Sequence, residues 1–373
     1  MKQYDIAAYI WPAYTGDEPR TRIFWEEGIG EWQTVKNSAP KANGYSWNRK
    51  PLWGYQNEAD PYVMSMQIEA ALSHGVNVFI YDWYWYDNRP FLENCLNDGF
   101  LKAPNQDKMQ FYIMWANHDA NYTWDRRNSG NVDATIWKGA VTLDQFYIIG
   151  RRWIDQYFTR NNYYKIDGKP VVSIYELQNF VQGLGGMEAA ACAMEWLEEE
   201  AKKAGLAGVH FQFIRWNENS QNVSGVDGKV LSVSPQELQK LGFSSLTHYQ
   251  FVHFTEIDRD YLEILPDVQK EWDLLRKDFP IPYYPHVSIG WDNNPRFLDF
   301  RPGIVRNNTP ENFELALRAA KDFADHSGVR LITINSWNEW TETSYLEPDT
   351  MYGYGYLEAI RRVFGSKGRE SNG

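Results

Sequence analysis

The sequence predicts an α/β fold, a (β/α)8 TIM barrel with long loops after its strands, and three observations predict it. Eight short runs rich in β-branched and aromatic residues recur along the 373 residues, each followed by a helical pattern before the next. Connections from helix to strand are mostly short, whereas several from strand to helix are long; a barrel that builds its site from the loops after strands has that asymmetry. No internal repeat, proline-rich linker or low-complexity block divides the chain. A single barrel domain is therefore expected over residues 1–365, with a polar, disordered tail at 366–373.

The elements follow in order. Strands are expected at 5–11, 77–83, 110–115, 170–175, 209–214, 245–250, 283–289 and 330–335, each dense in Val, Ile, Tyr, Phe or Trp. The clearest helices are 61–74, 143–158, 187–204, 261–277 and 310–326, with shorter ones near 92–101, 235–241 and 354–363. The chain returns to a strand within a few residues at His74-Gly75-Val76 and at Ser327-Gly328-Val329. It leaves strands through long segments at 12–60, 117–142, 216–234 and 291–309. Asp167-Gly168 marks a small turn before the fourth strand. Gly183–Gly186 reads as a loop into the next helix cap, since it lacks the Lys-Ser/Thr of a phosphate loop.

Composition narrows the function. With 37 basic and 49 acidic residues the net charge is −12, which argues against nucleic acid and anionic membranes as partners. Cys95 and Cys192 support neither a disulfide framework nor a zinc site, and no metal or cofactor is expected. No apolar run approaches the roughly 20 residues that span a bilayer. No signal peptide precedes the first strand; a mature secreted, periplasmic or surface-attached protein would start the same way, so the compartment stays open. The oligomeric state is not readable. The 17 Trp, 24 Tyr and 19 Phe make up 16% of the chain, which excludes disorder.

Their placement is more informative than their number. The predicted strand ends carry Trp11, Asp82-Trp83, Trp115-Ala116-Asn117-His118, Tyr175-Glu176, Trp216, Trp291-Asp292 and Trp337-Asn338-Glu339-Trp340, with Tyr249 on the sixth strand. Indole faces stack on the CH faces of sugar rings, while carboxylates, amides and imidazoles bind hydroxyls. An oligosaccharide or polysaccharide is therefore the expected partner; the alternative is that these Trp cap the barrel against its loops. Expected substrate contacts are Trp11, Asp82, Trp83, Trp115, Asn117, His118, Glu176, Trp216, Tyr249, Trp291, Asp292, Asn338 and Trp340.

Glu339 and Glu342 are the expected catalytic pair. Glycosyl transfer needs one carboxyl group that donates a proton and one that acts as base or nucleophile. Residues three apart in a helical turn share a face with Cβ atoms about 5–6 Å apart. Repulsion at that range holds a proton on one of them near neutrality. His118 and His248 lack metal-ligand spacing, and no Gly-Xaa-Ser-Xaa-Gly elbow supports a serine hydrolase. Glu176 and Asp82 stay open as alternative nucleophiles.

The segment from Asn335 to Glu342, followed by Tyr345-Leu346-Glu347-Pro348, resembles the closing motif of glycoside hydrolase family 99 and its WbsX-like relatives. Gly30-Glu31-Trp32, Trp53-Gly54-Tyr55, Trp115-Ala116-Asn117 and Gly290-Trp291-Asp292-Asn293 extend the likeness from about residue 8 to 360. The resemblance implies a (β/α)8 barrel acting on α-linked glycans, in the founding family α-mannosides cleaved internally. It also implies retention through the substrate's own 2-hydroxyl, by way of a 1,2-anhydro sugar. Glu339 then matches the base on that hydroxyl, and Glu342 the acid that later activates water. One departure is Thr341, where family 99 has His, so the mannan substrate is not carried over. Some WbsX-like relatives are described as glycosyltransferases; no nucleotide-sugar phosphate site is evident here, which favours hydrolysis.

Overall fold

The computed structural model describes residues 4–16, 18–41, 44–224 and 229–365. The expected tail at 366–373 lies outside these. All eight expected strands form, as β1 (Asp5–Ile10), β2 (Val78–Tyr86), β3 (Gln110–Trp115), β4 (Lys169–Ile174), β5 (His210–Ile214), β6 (Phe243–Thr247), β7 (His286–Ser288) and β8 (Leu331–Asn335). They pair in parallel in the order β6-β5-β4-β3-β2-β1-β8-β7. The gap between β6 and β7 is bridged where Leu246 pairs in parallel with Tyr283. There Leu246 N donates to Pro282 O at 3.0 Å and Tyr284 N to Leu246 O at 2.9 Å. The sheet is thus a nearly closed (β/α)8 barrel.

Around it lie α1 (Pro61–His74), α2 (Leu143–Trp153), α3 (Leu177–Leu184), α4 (Met187–Lys203), α5 (Pro235–Leu241), α6 (Tyr261–Asp278), α7 (Pro310–Ser327) and α8 (Gly355–Phe364). No helix among the described residues is long and apolar enough to cross a membrane. Caps define the helix starts: Asp60 accepts from Tyr62 N and Val63 N, and Ser234 forms a capping box with Glu237. α2 continues as a π turn, Ile154–Phe158, which completes the expected 143–158 segment. The Asp167-Gly168 turn is a hairpin, with both residues at positive φ, joining Lys165–Ile166 to the start of β4.

Two segments differ from expectation. The 183–186 stretch is not wholly loop, because α3 runs through Gly183. A Cβ there would stand 2.5 Å from Val141 O, so the glycine reflects close packing of α3 on the preceding loop. The expected helix at 92–101 is a π turn, Cys95–Gly99, followed by a 3₁₀ turn, Phe100–Lys102. A Cβ on Gly99 would stand 2.0 Å from Glu58 O, so this turn packs directly on the loop that carries Glu58.

Between β6, β7 and β8 the barrel interior is polar and buried. Thr333 Oγ1 lies 2.9 Å from both Thr247 Oγ1 and His286 Nδ1, and His286 Nε2 lies 3.0 Å from Ser288 Oγ. Burial holds the His286 imidazole well below its ordinary pKa, and so neutral. Buried polar groups are tolerated only when paired. Replacing Thr333 with Val keeps the shape and removes the hydroxyl from both neighbours. The expected outcome is a loss of about 1–3 kcal/mol of unfolding free energy, read as a lower urea midpoint at unchanged slope.

Candidate functional site

The chain leaves β8 into a tight turn that holds both expected catalytic glutamates. Glu339 N donates to Ser336 Oγ at 2.7 Å, and Ser336 Oγ donates to Ser344 O at 2.7 Å. A short antiparallel ladder, Asn338–Glu339 with Ser344–Tyr345, brackets a 3₁₀ turn at Trp340–Glu342. The return is made by Thr343 in the left-handed region, at φ 57°. Residues three apart eclipse in a 3₁₀ turn, and Glu339 and Glu342 both line the same cleft.

Arg296 joins the two. It rises from a 3₁₀ turn, Asn294–Arg296, in the long loop after β7. Its Nη2 donates to Glu339 Oε1 at 2.7 Å, its Nη1 to Glu342 Oε1 at 2.6 Å and its Nε to Glu31 Oε1 at 2.9 Å. Glu31 also accepts from Trp11 Nε1. One buried guanidinium therefore serves three carboxylates. Burial raises the Glu339 carboxyl well above its ordinary range, and Glu342 raises it further, against the pull of Arg296. Burial also raises Glu342, while Arg296 opposes it.

Asp82 of β2 also lines the cleft. Tyr249 OH donates to its Oδ2 at 2.9 Å, while its Oδ1 is buried without a partner. Burial pushes this carboxyl well above the usual range, and the charge of Glu342 adds to the rise. The cleft, with about 730 Å³ of empty space open to solvent, is walled by Trp11, Tyr84, His118, Trp124, Tyr175 and Tyr249 around these acids. Burial lowers the His118 pKa, which keeps its ring neutral.

Of the expected site residues, Trp11, Asp82, His118, Tyr249, Glu339 and Glu342 come together in this cleft. The others lie elsewhere, for identifiable reasons. Trp83 and Trp115 point outward, because strand residues alternate and their neighbours Asp82 and Met114 point in. Their rings pack on Trp153 of α2 at 5.3 and 5.6 Å. Asn117 clamps two strand ends, exchanging 2.8 Å hydrogen bonds with Glu176 O and Glu176 N. The Glu176 carboxyl, raised to about 7 by burial, is not part of the cleft wall. Nor are Trp216 and half-buried Trp291, which packs against the core. Asp292 holds its own loop, accepting from Tyr45 OH at 2.6 Å and Asn294 Nδ2 at 2.8 Å. Asn338 and Trp340 face away from the cleft, and Trp340 stacks on Tyr345 with centroids 3.8 Å apart.

Sequence reasoning missed Arg296, Tyr84, Tyr175 and Trp124, and gave Glu31 no role. Tyr84 was readable by alternation from Asp82. Glu31 stood in a recognised motif, Gly30-Glu31-Trp32, without a partner to explain it. Arg296 and Trp124 sit in long loops, where no periodicity announces them. An Asp-Xaa-Asp spacing does occur, at Asp258-Arg259-Asp260, and it is structural. Asp258 accepts from Arg306 Nη1 at 2.6 Å, and Asp260 caps α6.

Comparison with known proteins places the chain. The sequence model of the family described as Glycosyltransferase WbsX matches residues 6–360. An uncharacterised protein, WxcX, of Xanthomonas campestris pv. campestris is 24% identical over 354 residues, covering 92% of this chain and 47% of that protein. The chain thus spans about half the length of the curated relatives it matches. Among solved structures, a glycoside hydrolase-like protein superposes with TM-score 0.61 at 13% identity, covering 98% of this chain and 95% of the other. The GH99 endo-alpha-mannosidase from Bacteroides thetaiotaomicron superposes with TM-score 0.60 at 14% identity, covering 98% and 97%. These likenesses show the fold.

The Arg296 arrangement makes a prediction that needs no substrate. Arg296→Met leaves Glu31, Glu339 and Glu342 without their cation, and the proton affinity of Glu339 and Glu342, already raised in the folded state by burial, rises further. Stability that depends on those protons is lost as pH rises. Denaturant titration should show a loss of about 3–5 kcal/mol against wild type at pH 8, narrowing towards pH 5.

Proposed function

The chain belongs to the Glycosyltransferase WbsX family, and on that premise we propose that it is a retaining glycoside hydrolase acting on an α-linked oligosaccharide or polysaccharide, mannan-like or related. The observation that carries this reading is the pair Glu339 and Glu342, side by side on Arg296 at the floor of an aromatic-walled cleft. Asp82, with an unpartnered buried oxygen, and Tyr249 and His118 are proposed to bind sugar hydroxyls, with Trp11 and Trp124 against the ring faces.

The two glutamates take different roles because they stand at different depths. The Glu342 side chain is 13% exposed and that of Glu339 3%. Glu342, nearer solvent, suits the group that protonates the leaving oxygen and then takes a proton from water. Glu339, deeper and on the guanidinium, suits the base on the 2-hydroxyl. In the first step Glu339 takes the 2-hydroxyl proton, O2 bonds to C1, and the C1–leaving-oxygen bond breaks as Glu342 gives that oxygen its proton. In the second, Glu342 removes a proton from water, the water oxygen bonds to C1 as the C1–O2 bond breaks, and O2 regains its proton from Glu339. Burial supports the acid by raising its proton affinity, and a base of raised proton affinity is the stronger base once ionised.

The family description favours a second reading, transfer from an activated donor. Against it, the cation among the described residues lining the cleft is Arg296, whose donors are already committed to Glu31, Glu339 and Glu342. A donor diphosphate would find no counter-charge there. The Asp-Xaa-Asp sequence is likewise occupied by an ion pair and a helix cap.

Product analysis on α-mannans, α-glucans and rhamnose-containing glycans should show hydrolysis without added nucleotide sugar. Consumption of a nucleotide sugar with every glycan intact would establish transfer instead. On a cleaved substrate, Glu339→Gln and Glu342→Gln should each lower kcat about 10²–10⁴-fold; unchanged function in Glu342→Gln would mark a glycan-binding barrel. An analogue lacking the 2-hydroxyl should bind without being cleaved. A covalent glycosyl adduct on Asp82 or Glu176 would replace the 1,2-anhydro route.

The pH profile should be bell-shaped. Activity falls at low pH as Glu339 is protonated and at high pH as Glu342 loses its proton. Since both are raised, the optimum should lie above the ordinary carboxylate range of about 4.

A further inference from the structure

Behind the turn that carries Glu339 and Glu342 lies a second acid pair, which the proposed chemistry does not use. Glu58 and Glu347 are both buried, Glu58 completely. Glu58 comes from the loop before α1, and Glu347 from the segment that follows the turn. Gln67 of α1 sits between them: its Nε2 donates to Glu347 Oε1 at 2.8 Å and to Glu58 Oε1 at 3.3 Å. Trp337 Nε1 orients that amide by donating to Gln67 Oε1 at 3.0 Å.

The two acids grip the turn from its rear face. Asn338 Nδ2 donates to Glu58 Oε2 at 2.9 Å and to its Oε1 at 3.1 Å. Trp340 Nε1 donates to Glu347 Oε2 at 2.5 Å. Asn338 and Trp340 flank Glu339 in sequence. While Glu339 and Glu342 point forward into the cleft, the side chains on either side of Glu339 are anchored backward on two carboxylates. The same Asn338 also exchanges hydrogen bonds with the backbone of Trp11, at 2.8 Å from its N and 2.9 Å to its O. Trp11 in turn donates to Glu31, the third carboxylate on Arg296.

This is costly architecture for mere packing. The donors that reach Glu58 and Glu347 are neutral: two amides, an indole and the Cys95 thiol, 3.7 Å from Glu58 Oε2. Taking a carboxylate out of water without a cation is strongly unfavourable. Burial raises Glu58 to about 7, and burial with the charge of Glu58 raises Glu347 well above its ordinary value. Two glutamines would fill the same space without that charge cost. What carboxylates supply, and amides do not, is oxygen on both arms. Glu58 presents two acceptors to Asn338, and Glu347 presents one to Gln67 and one to Trp340, with no N–H to collide with those donors.

We propose that Glu58 and Glu347, bridged by Gln67, are positioning residues that fix the turn so that Glu339 and Glu342 meet the Arg296 guanidinium. The assignment rests on the reading of Glu339 and Glu342 as the reacting carboxylates, and its test does not depend on finding the glycan.

In protein carrying ¹³C at the glutamate side-chain carboxyl, the Glu339 and Glu342 signals are assigned with Glu339→Gln and Glu342→Gln and titrated. In Glu347→Gln the glutamine N–H meets Gln67 or Trp340 and the turn shifts away from Arg296. Both signals should then titrate higher, by about one unit, as carboxylates do on losing an adjacent cation. Removing a nearby negative charge without moving the turn acts in the opposite direction, so the sign separates the two effects. Trp340→Phe removes the same hydrogen bond from the other end and keeps the carboxylate; it should also raise both titrations, and it serves if Glu347→Gln does not fold. Unchanged or lowered titrations in the folded variants overturn the proposal. On any glycan the wild type cleaves, both variants should lower kcat about 10²-fold with KM little altered. A fall confined to thermal stability would mark a structural role alone. If no glycan is cleaved, the hydrolase reading fails while the titrations still decide this one.

Discussion

The site depends on one guanidinium. Arg296 is buried among three glutamates: Glu31 from the loop after β1, and Glu339 and Glu342, three residues apart, from the turn after β8. An arginine suits this place, because its planar fork offers donors in several fixed directions while the charge stays constant. Without it, three buried or nearly buried carboxylates at the floor of the cleft would repel one another with no cation between them. With it, they are held close, and burial still raises the proton affinity of Glu339 and Glu342. That condition is what an acid–base pair requires. The stored tension is electrostatic, and it lies where the chain is most tightly constrained.

The barrel supplies the constraint. Parallel strands bury both faces, so successive residues go alternately to the interior and to the helix layer. At the end of β2 this separates Asp82 and Tyr84, in the cleft, from Trp83 and Trp85, under the helices. At the end of β3 it separates Met114 and Ala116 from Trp115. Of the indoles that seemed to crown the strands, Trp83 and Trp115 are therefore cement between sheet and helices, around Trp153. The aromatic wall of the cleft comes instead from inward tyrosines and from loop residues such as Trp124.

This shows how far the sequence could be read. Strand and helix positions were legible because burial on a barrel imposes periodicity, and β3, α1 and α5 fall where the pattern puts them. Glu339 and Glu342 were legible because a turn after the last strand brings residues three apart to one side. Arg296 was not, since its meaning comes from a loop of the seventh unit folding over the first and last. Glu31 was visible only as part of a motif. The misplacement of Trp83 and Trp115 has a different origin: position along a strand was read, and facing was not. Alternation counted from Asp82 would have corrected it and would have found Tyr84.

The turn after β8 also explains why so many polar groups are buried near it. A five-residue segment from Asn338 to Glu342 must present two carboxyls on one side and yet be rigid. Short backbone ladders do not provide that rigidity alone, since two residues pair with two. Side chains complete it: Ser336 ties the backbone of Glu339, Tyr14 OH accepts from Trp340 N at 3.2 Å, and Asn338 locks the turn to the end of β1. Each tie reaches a different barrel unit or loop, so the turn cannot shift without disturbing β1, the loop before α1 and its own return strand together. Thr341, where the resembling hydrolases carry histidine, is fully buried with its hydroxyl unpartnered. It sits between the two glutamates but does not line the cleft. Its side chain fills the interior beside the acids, while the contacts that join the two carboxyls run to Arg296 and not to position 341.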